Sequence, residues 1–156
     1  MKLFILTFVL SLGLGLRAWG HGGVPLGPNG GRLLEFSKNH SVQGELVLTN
    51  GVFRLTLLDA QKKPIALKDQ VLSVAGGDRS QPTKPVVTRD GNQFVFPALA
   101  GKKYPLVFQF RETADARPVT ARMTFDASTC SGCDHAEWLC RCDDDHDHDE
   151  TKPAAK

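Results

Sequence analysis

Between Arg32 and Phe125 apolar residues recur at every second position in short runs. In VFRLTLLD, Phe53, Leu55 and Leu57 point one way while Arg54 and Thr56 point the other. In YPLVFQFR, Leu106, Phe108 and Phe110 share a face opposite Val107 and Gln109. In VTARMTF, Val119, Ala121, Met123 and Phe125 share a face opposite Thr120, Arg122 and Thr124. Only an extended chain places alternate residues on one side, so this pattern demands strands with one buried and one wet face. No helical period competes with it in this region. Further strands are expected over 32–36, 43–49, 70–75, 85–89 and 93–96.

The residues between the runs are turn formers. Thr49-Asn50-Gly51 separates two alternating segments, and Asn-Gly accepts the positive φ angles of a tight hairpin. Asp90-Gly91 stands in the same relation to PVVTR and NQFVF, and Lys62-Lys63-Pro64, Gly76-Gly77-Asp78 and Gly101-Lys102-Lys103 mark other loops. About eight short strands at such spacing predict an all-β fold, either an antiparallel sandwich of immunoglobulin-like type or a small barrel.

The ends of the chain carry different information. Lys2, an apolar run from Leu3 to Leu16, and then small residues make residues 1–20 look like a secretory signal peptide. The run is too short to span a bilayer, which takes about 20 apolar residues. Ala18 and Gly20 place cleavage before His21, so the mature chain is expected to be periplasmic or secreted and to keep no transmembrane segment. Residues 21–31 then form a flexible N-terminal arm, 32–127 one β-domain, 128–142 a Cys-rich knuckle, and 143–156 a disordered Asp/His-rich tail. Residues 21–129 carry a net charge of +5 and residues 130–156 a net of −5. The cations are scattered, with no basic helix or aromatic stacking run, which excludes a nucleic-acid partner.

The β-domain contains no cysteine, no Gly-x-Ser-x-Gly setting and one histidine, His40, so no catalytic constellation is expected. The glycines of GPNGGR are read as a turn leading into the first strand and not as a phosphate cradle, because no helix pattern follows them. The chemistry gathers in CSGCDHAEWLCRCDDDHDHDE, residues 130–150, which holds all four cysteines. Cys130, Cys133, Cys140 and Cys142 form two short ligand pairs separated by 134–139, long enough for a turn. Such a set satisfies tetrahedral zinc, and Cys-x-x-Cys and Cys-x-Cys are equally good hooks for copper(I). His135 and His146 lie near enough in sequence to replace one sulfur, and His146 with His148 gives the Asp/His tail a loose metal-capturing composition. A mature N-terminal His21 offers an amine and an imidazole to one ion, with His40 as the candidate for a second imidazole.

Export also favours disulfides. A Cys140–Cys142 ring would be strained, which leaves nested pairing (Cys130–Cys142, Cys133–Cys140) or crossed pairing. In that case the protein is a disulfide-stapled module docking onto another cell-envelope protein through its strand edges or the knuckle around Trp138. A Cys-x-x-Cys redox centre lacks the strand–helix context that lowers a thiol pKa.

GPNGGRLLEF, LTLLDAQKKPI and CSGCDHAEWLCRC together resemble a family of small, uncharacterised exported bacterial proteins that pair an N-terminal GPNGGR motif with a C-terminal Cys-x-x-Cys-x3-Glu-aromatic-x-Cys-x-Cys cluster. Glu137 and Trp138 occupy the Glu-aromatic positions. The GPNGGR arm is also similar to one in exported domains associated with heavy-metal efflux adaptors, which implies a metal-related role. Those domains place His-x-Glu-Leu in the following strand. Here the stretch reads Gln43-Gly44-Glu45-Leu46, with His40 out of register.

Overall fold

The computed structural model describes residues 24–142. They form eight strands: β1 (Arg32–Glu35), β2 (Gln43–Thr49), β3 (Val52–Leu58), β4 (Val71–Gly76), β5 (Thr88–Asp90), β6 (Gln93–Pro97), β7 (Lys103–Arg111) and β8 (Val119–Asp126). All pairings are antiparallel. One sheet has the order β1-β2-β3-β6-β5 and the other β4-β7-β8. The two are not closed onto each other, so the fold is a sandwich and not a barrel. Among the described residues no helix is long and apolar enough to cross a membrane.

Alternation in the sequence becomes burial in the fold. On β7, Tyr104, Leu106, Phe108 and Phe110 are buried, and on β8 Ala121, Met123 and Phe125 face them across the pair. The opposite sheet contributes Phe53, Leu55 and Leu57 from β3 and Phe94 and Phe96 from β6. Aromatic contacts join the layers: Phe96 meets Phe108 edge-on at 6.2 Å, and Phe36 stacks on Phe110 at 4.8 Å. Gly44 makes the second contact possible, because a Cβ there would lie 2.5 Å from the Phe36 ring.

The β2–β3 hairpin turns through Asn50 (φ 52°) and Gly51 (φ 75°), both left-handed as Asn-Gly requires. The β5–β6 turn sits one residue later than expected, at Gly91-Asn92, with Asp90 already paired to Gln93. Of those two residues Gly91 (φ 56°) takes the positive φ. The strand expected over 85–89 shrinks to Thr88–Asp90 and is exposed throughout. It is an edge strand, Pro85 has no N–H to pair, and Val86 stands 76% exposed.

Strand β2 departs most from simple alternation, since Gln43 to Leu46 are all buried. Glu45, 1% exposed, looks outward from the sheet and is covered by the GPNGG loop. Its carboxylate accepts the Asn29 N–H (2.6 Å), the Asn29 side-chain amide (2.7 Å) and the Gly31 N–H (3.1 Å). The glycines let the loop come this close: a Cβ on Gly27 would lie 2.5 Å from the Glu45 carboxyl carbon, and one on Gly31 would lie 2.5 Å from the Leu46 carbonyl. Residues 24–31, expected to belong to a flexible arm, are therefore tied down. Val24 donates to the Cys140 carbonyl at 3.1 Å, Leu33 donates to the Pro25 carbonyl at 2.9 Å, and Gly27 closes the turn on Gly31 at 2.8 Å.

Two substitutions test this clasp. Glu45→Ala strands two backbone N–H groups and is expected to destabilise the domain by about 1–3 kcal/mol. Gly31→Ala is expected to act in the same direction by driving a methyl group into the Leu46 carbonyl. Both should lower the urea midpoint with an unchanged slope; unaltered midpoints would mean that the loop does not carry Glu45.

Candidate metal centre

The knuckle begins where β8 ends. Lys103 holds Asp126 at 2.8 Å, and with the Ser128 side chain and backbone N–H it draws that carboxyl down to about 2. The chain then folds back on itself. Glu137 donates to the Ser128 carbonyl, Thr129 bridges Ala136, Cys130 donates to the His135 carbonyl, and Asp134 donates to the Cys130 carbonyl. Asp134 takes the left-handed conformation (φ 57°) that closes this reversal. Cys130 and Cys133 thus ride on a tight hairpin. A 3-10 turn, Glu137–Leu139, follows and returns Cys140 and Cys142 alongside them.

Trp138 fixes that turn to the sandwich. It is 5% exposed, edge-on to Phe53 at 6.0 Å and tilted against Phe125 at 5.5 Å. The knuckle therefore does not present Trp138 as a docking surface, since an indole at the core boundary is lost to any partner. Arg32, the last residue of GPNGGR, donates from its guanidinium to the Trp138 carbonyl at 3.1 Å. Burial of that guanidinium lowers its pKa. The two motifs at opposite ends of the chain meet here, 106 residues apart in sequence.

The four sulfurs all lie within 4.8 Å of one another. Cys130 and Cys140 approach to 3.3 Å, Cys133 and Cys140 to 3.7 Å, and Cys130 and Cys142 to 3.9 Å. All four are free thiols. Cys130 is buried and the other three are half-buried. The backbone N–H of His135 pulls the Cys133 thiol down to about 6, helped by contacts with Cys142 and Cys140. Its neighbours move the other way. Cys142 is pushed up to about 12, first by Cys133 and then by Cys140. At Cys140 the Cys142 N–H pulls down, but Cys130, burial and Cys133 together outweigh it and push the thiol up. Cys133 thus carries the first negative charge, while Cys140 and Cys142 hold their protons more tightly.

The histidines fare differently. His135 stands beside the cluster but outside the group of four; its Nδ1 donates to the Cys133 carbonyl at 2.7 Å, and that contact raises its pKa. His40 lies on the β1–β2 loop, exposed and paired through Nδ1 with Glu35 at 2.7 Å. His21, His146 and His148 fall outside the described residues, as do residues 1–23 and 143–156 as a whole. Nothing in the sequence assigns Glu45 or Arg32 to this assembly, and Trp138, expected at a docking surface, is buried instead. Glu45 alternates like a solvated position, and only the glycine-rich loop hints that something covers it. No protein-family model, curated protein or solved structure matches this chain.

The uneven sulfur acidities make a direct prediction. In reduced, metal-free protein the Cys133 thiol is protonated below pH 6 and charged above it, so Cys133 should be alkylated first. The rate should rise with a midpoint near 6. Peptide mapping of brief iodoacetamide labelling across pH checks this, and Cys133→Ser should abolish the early phase. Labelling that begins at Cys142 would contradict the assignment.

Proposed function

We propose that this is an exported, non-enzymatic metal-binding protein whose Cys130, Cys133, Cys140 and Cys142 hold one zinc or copper(I) ion. The observation that carries this reading is the mutual approach of the four sulfurs, all within 4.8 Å without a covalent bond between any two. Metal–sulfur bonds of about 2.3 Å in a tetrahedron put neighbouring sulfurs about 3.8 Å apart. The contacts of 3.3, 3.7 and 3.9 Å bracket that edge. Four convergent thiolates and a tetrahedral spacing favour zinc; copper(I) would use the same sulfurs at lower coordination number. The Asp/His stretch directly after Cys142 supplies carboxylates and imidazoles for loose capture close to the cluster in sequence. Export rests on the signal-like residues 1–20.

A second reading keeps a specific observation of its own. The nested pairs Cys130–Cys142 and Cys133–Cys140 are in contact at 3.9 and 3.7 Å, so oxidation would staple the knuckle in place. The protein would then be a structural module of the cell envelope, with its strand edges left for a partner.

Replacing all four cysteines with serine separates ligation from scaffolding. Tight zinc or copper(I) binding, measured by competition with a chromophoric chelator, should be lost while the β-sheet circular dichroism persists. A four-serine variant that binds as tightly as the parent would sink the thiolate site.

A further inference from the structure

We infer that the metal ion at the four-cysteine cluster is an exchangeable cargo, taken from and given to thiol-bearing partners, and not a structural staple of the fold. This rests on the metal-binding reading above and assigns the ion its traffic.

The attachments of the knuckle to the sandwich do not use sulfur. Trp138 is seated against Phe53 and Phe125, with Ala136 and Leu139 packed on the core beside it. Backbone hydrogen bonds close the hairpin at Glu137–Ser128 and Cys130–His135, and the turn at Cys140–Glu137. Val24 and Arg32 clamp the same segment from the other end of the chain through the carbonyls of Cys140 and Trp138. A structural zinc site works otherwise: there the metal contributes the folding energy, and the ligands scatter without it. Here apolar contacts and backbone hydrogen bonds tie the knuckle to the sandwich, so the site is expected to stand when the ion is removed.

The cluster is also reachable from solvent. Cys130 is buried, while Cys133, Cys140 and Cys142 are each half-buried. Around them Ser131, Gly132, Asp134, His135 and Arg141 are exposed. The Cys130 side of the cluster is thus buried, and the side of the other three sulfurs is open to solvent. An incoming thiolate can bind the ion from that open side before a resident sulfur lets go. In each step a new metal–sulfur bond forms to the partner as one to this chain breaks. The partner thiol gives up its proton and the departing cysteine takes one, with no change of oxidation state. Soft thiolates are the ligands able to compete with a four-sulfur site, which fixes the chemistry of the partner as thiol donors, not carboxylates. Cys130, the buried member, is the sulfur placed to release the ion last.

The test uses the full reduced chain loaded with zinc. Zinc release to a colour-forming chelator is followed by stopped flow over a series of dithiothreitol concentrations. Hydrogen exchange of the Val24, Cys130, Leu139 and Cys140 amides is compared between the loaded and metal-free reduced protein. The expected result is a rate that doubles with each doubling of dithiol, with protection of those amides retained once the metal is gone. A rate independent of dithiol, or loss of that protection on metal removal, would overturn the cargo assignment while leaving zinc binding intact. A reduced chain that takes up no zinc at the outset would instead overturn the metal reading, and this inference with it.

Discussion

The indole of Trp138 makes the cysteine cluster part of the protein. Without it, residues 128–142 would be a polar loop trailing from the edge of a three-stranded sheet. With it, the 3-10 turn is pinned between Phe53 of one sheet and Phe125 of the other, at the open end of the sandwich. An aromatic side chain suits this task because it buries a large apolar area with few rotamers to lose. Its backbone carbonyl is engaged as well, by the half-buried guanidinium of Arg32. Each cysteine pair then inherits its position from this anchored turn: Cys130 and Cys133 ahead of it, Cys140 and Cys142 behind.

Arg32 can reach Trp138 only because the strand it begins is held in place, and that strand depends on Glu45. A buried carboxylate is costly unless its oxygens are satisfied, and here the GPNGG loop supplies two backbone N–H groups and an asparagine amide. The loop in turn needs glycine at 27 and 31, where any Cβ would collide with Glu45 or with the neighbouring strand. The N-terminal motif and the cysteine motif, at opposite ends of the β-domain in sequence, are thus one assembly. Separated in the chain, they share a carbonyl-to-guanidinium and a carbonyl-to-amide contact.

Much of this fold is legible in the sequence because alternation is a direct consequence of strand geometry, and β3, β7 and β8 show it without interruption. What misled was context from elsewhere in the chain. The strand expected over 85–89 is shorter in the fold, Thr88–Asp90, because Val86 and Val87 have strand propensity but Pro85 and the sheet edge leave them nothing to pair with. On β2, Glu45 looks solvated, and only a loop fourteen to sixteen residues upstream removes it from water. The cysteine spacing announces a soft-ligand set, and the structure gathers all four sulfurs as that spacing requires. Trp138 read as a surface anchor and proved to be core, since a local window cannot tell which aromatic residue the sandwich end will accept. Contacts such as Arg32 with Trp138 have no periodicity and leave no trace in either segment alone.

The proposed role of the cluster is to hold a metal ion through four thiolates. Intact-mass spectrometry of the protein as exported, recorded native and then denatured with thiol alkylation and no added reductant, tests it most directly. Four-thiolate ligation predicts one bound ion in the native spectrum and four alkylated cysteines after denaturation. A chain that takes up no alkyl group, with a mass lower by about four hydrogens as two disulfides require, would contradict it.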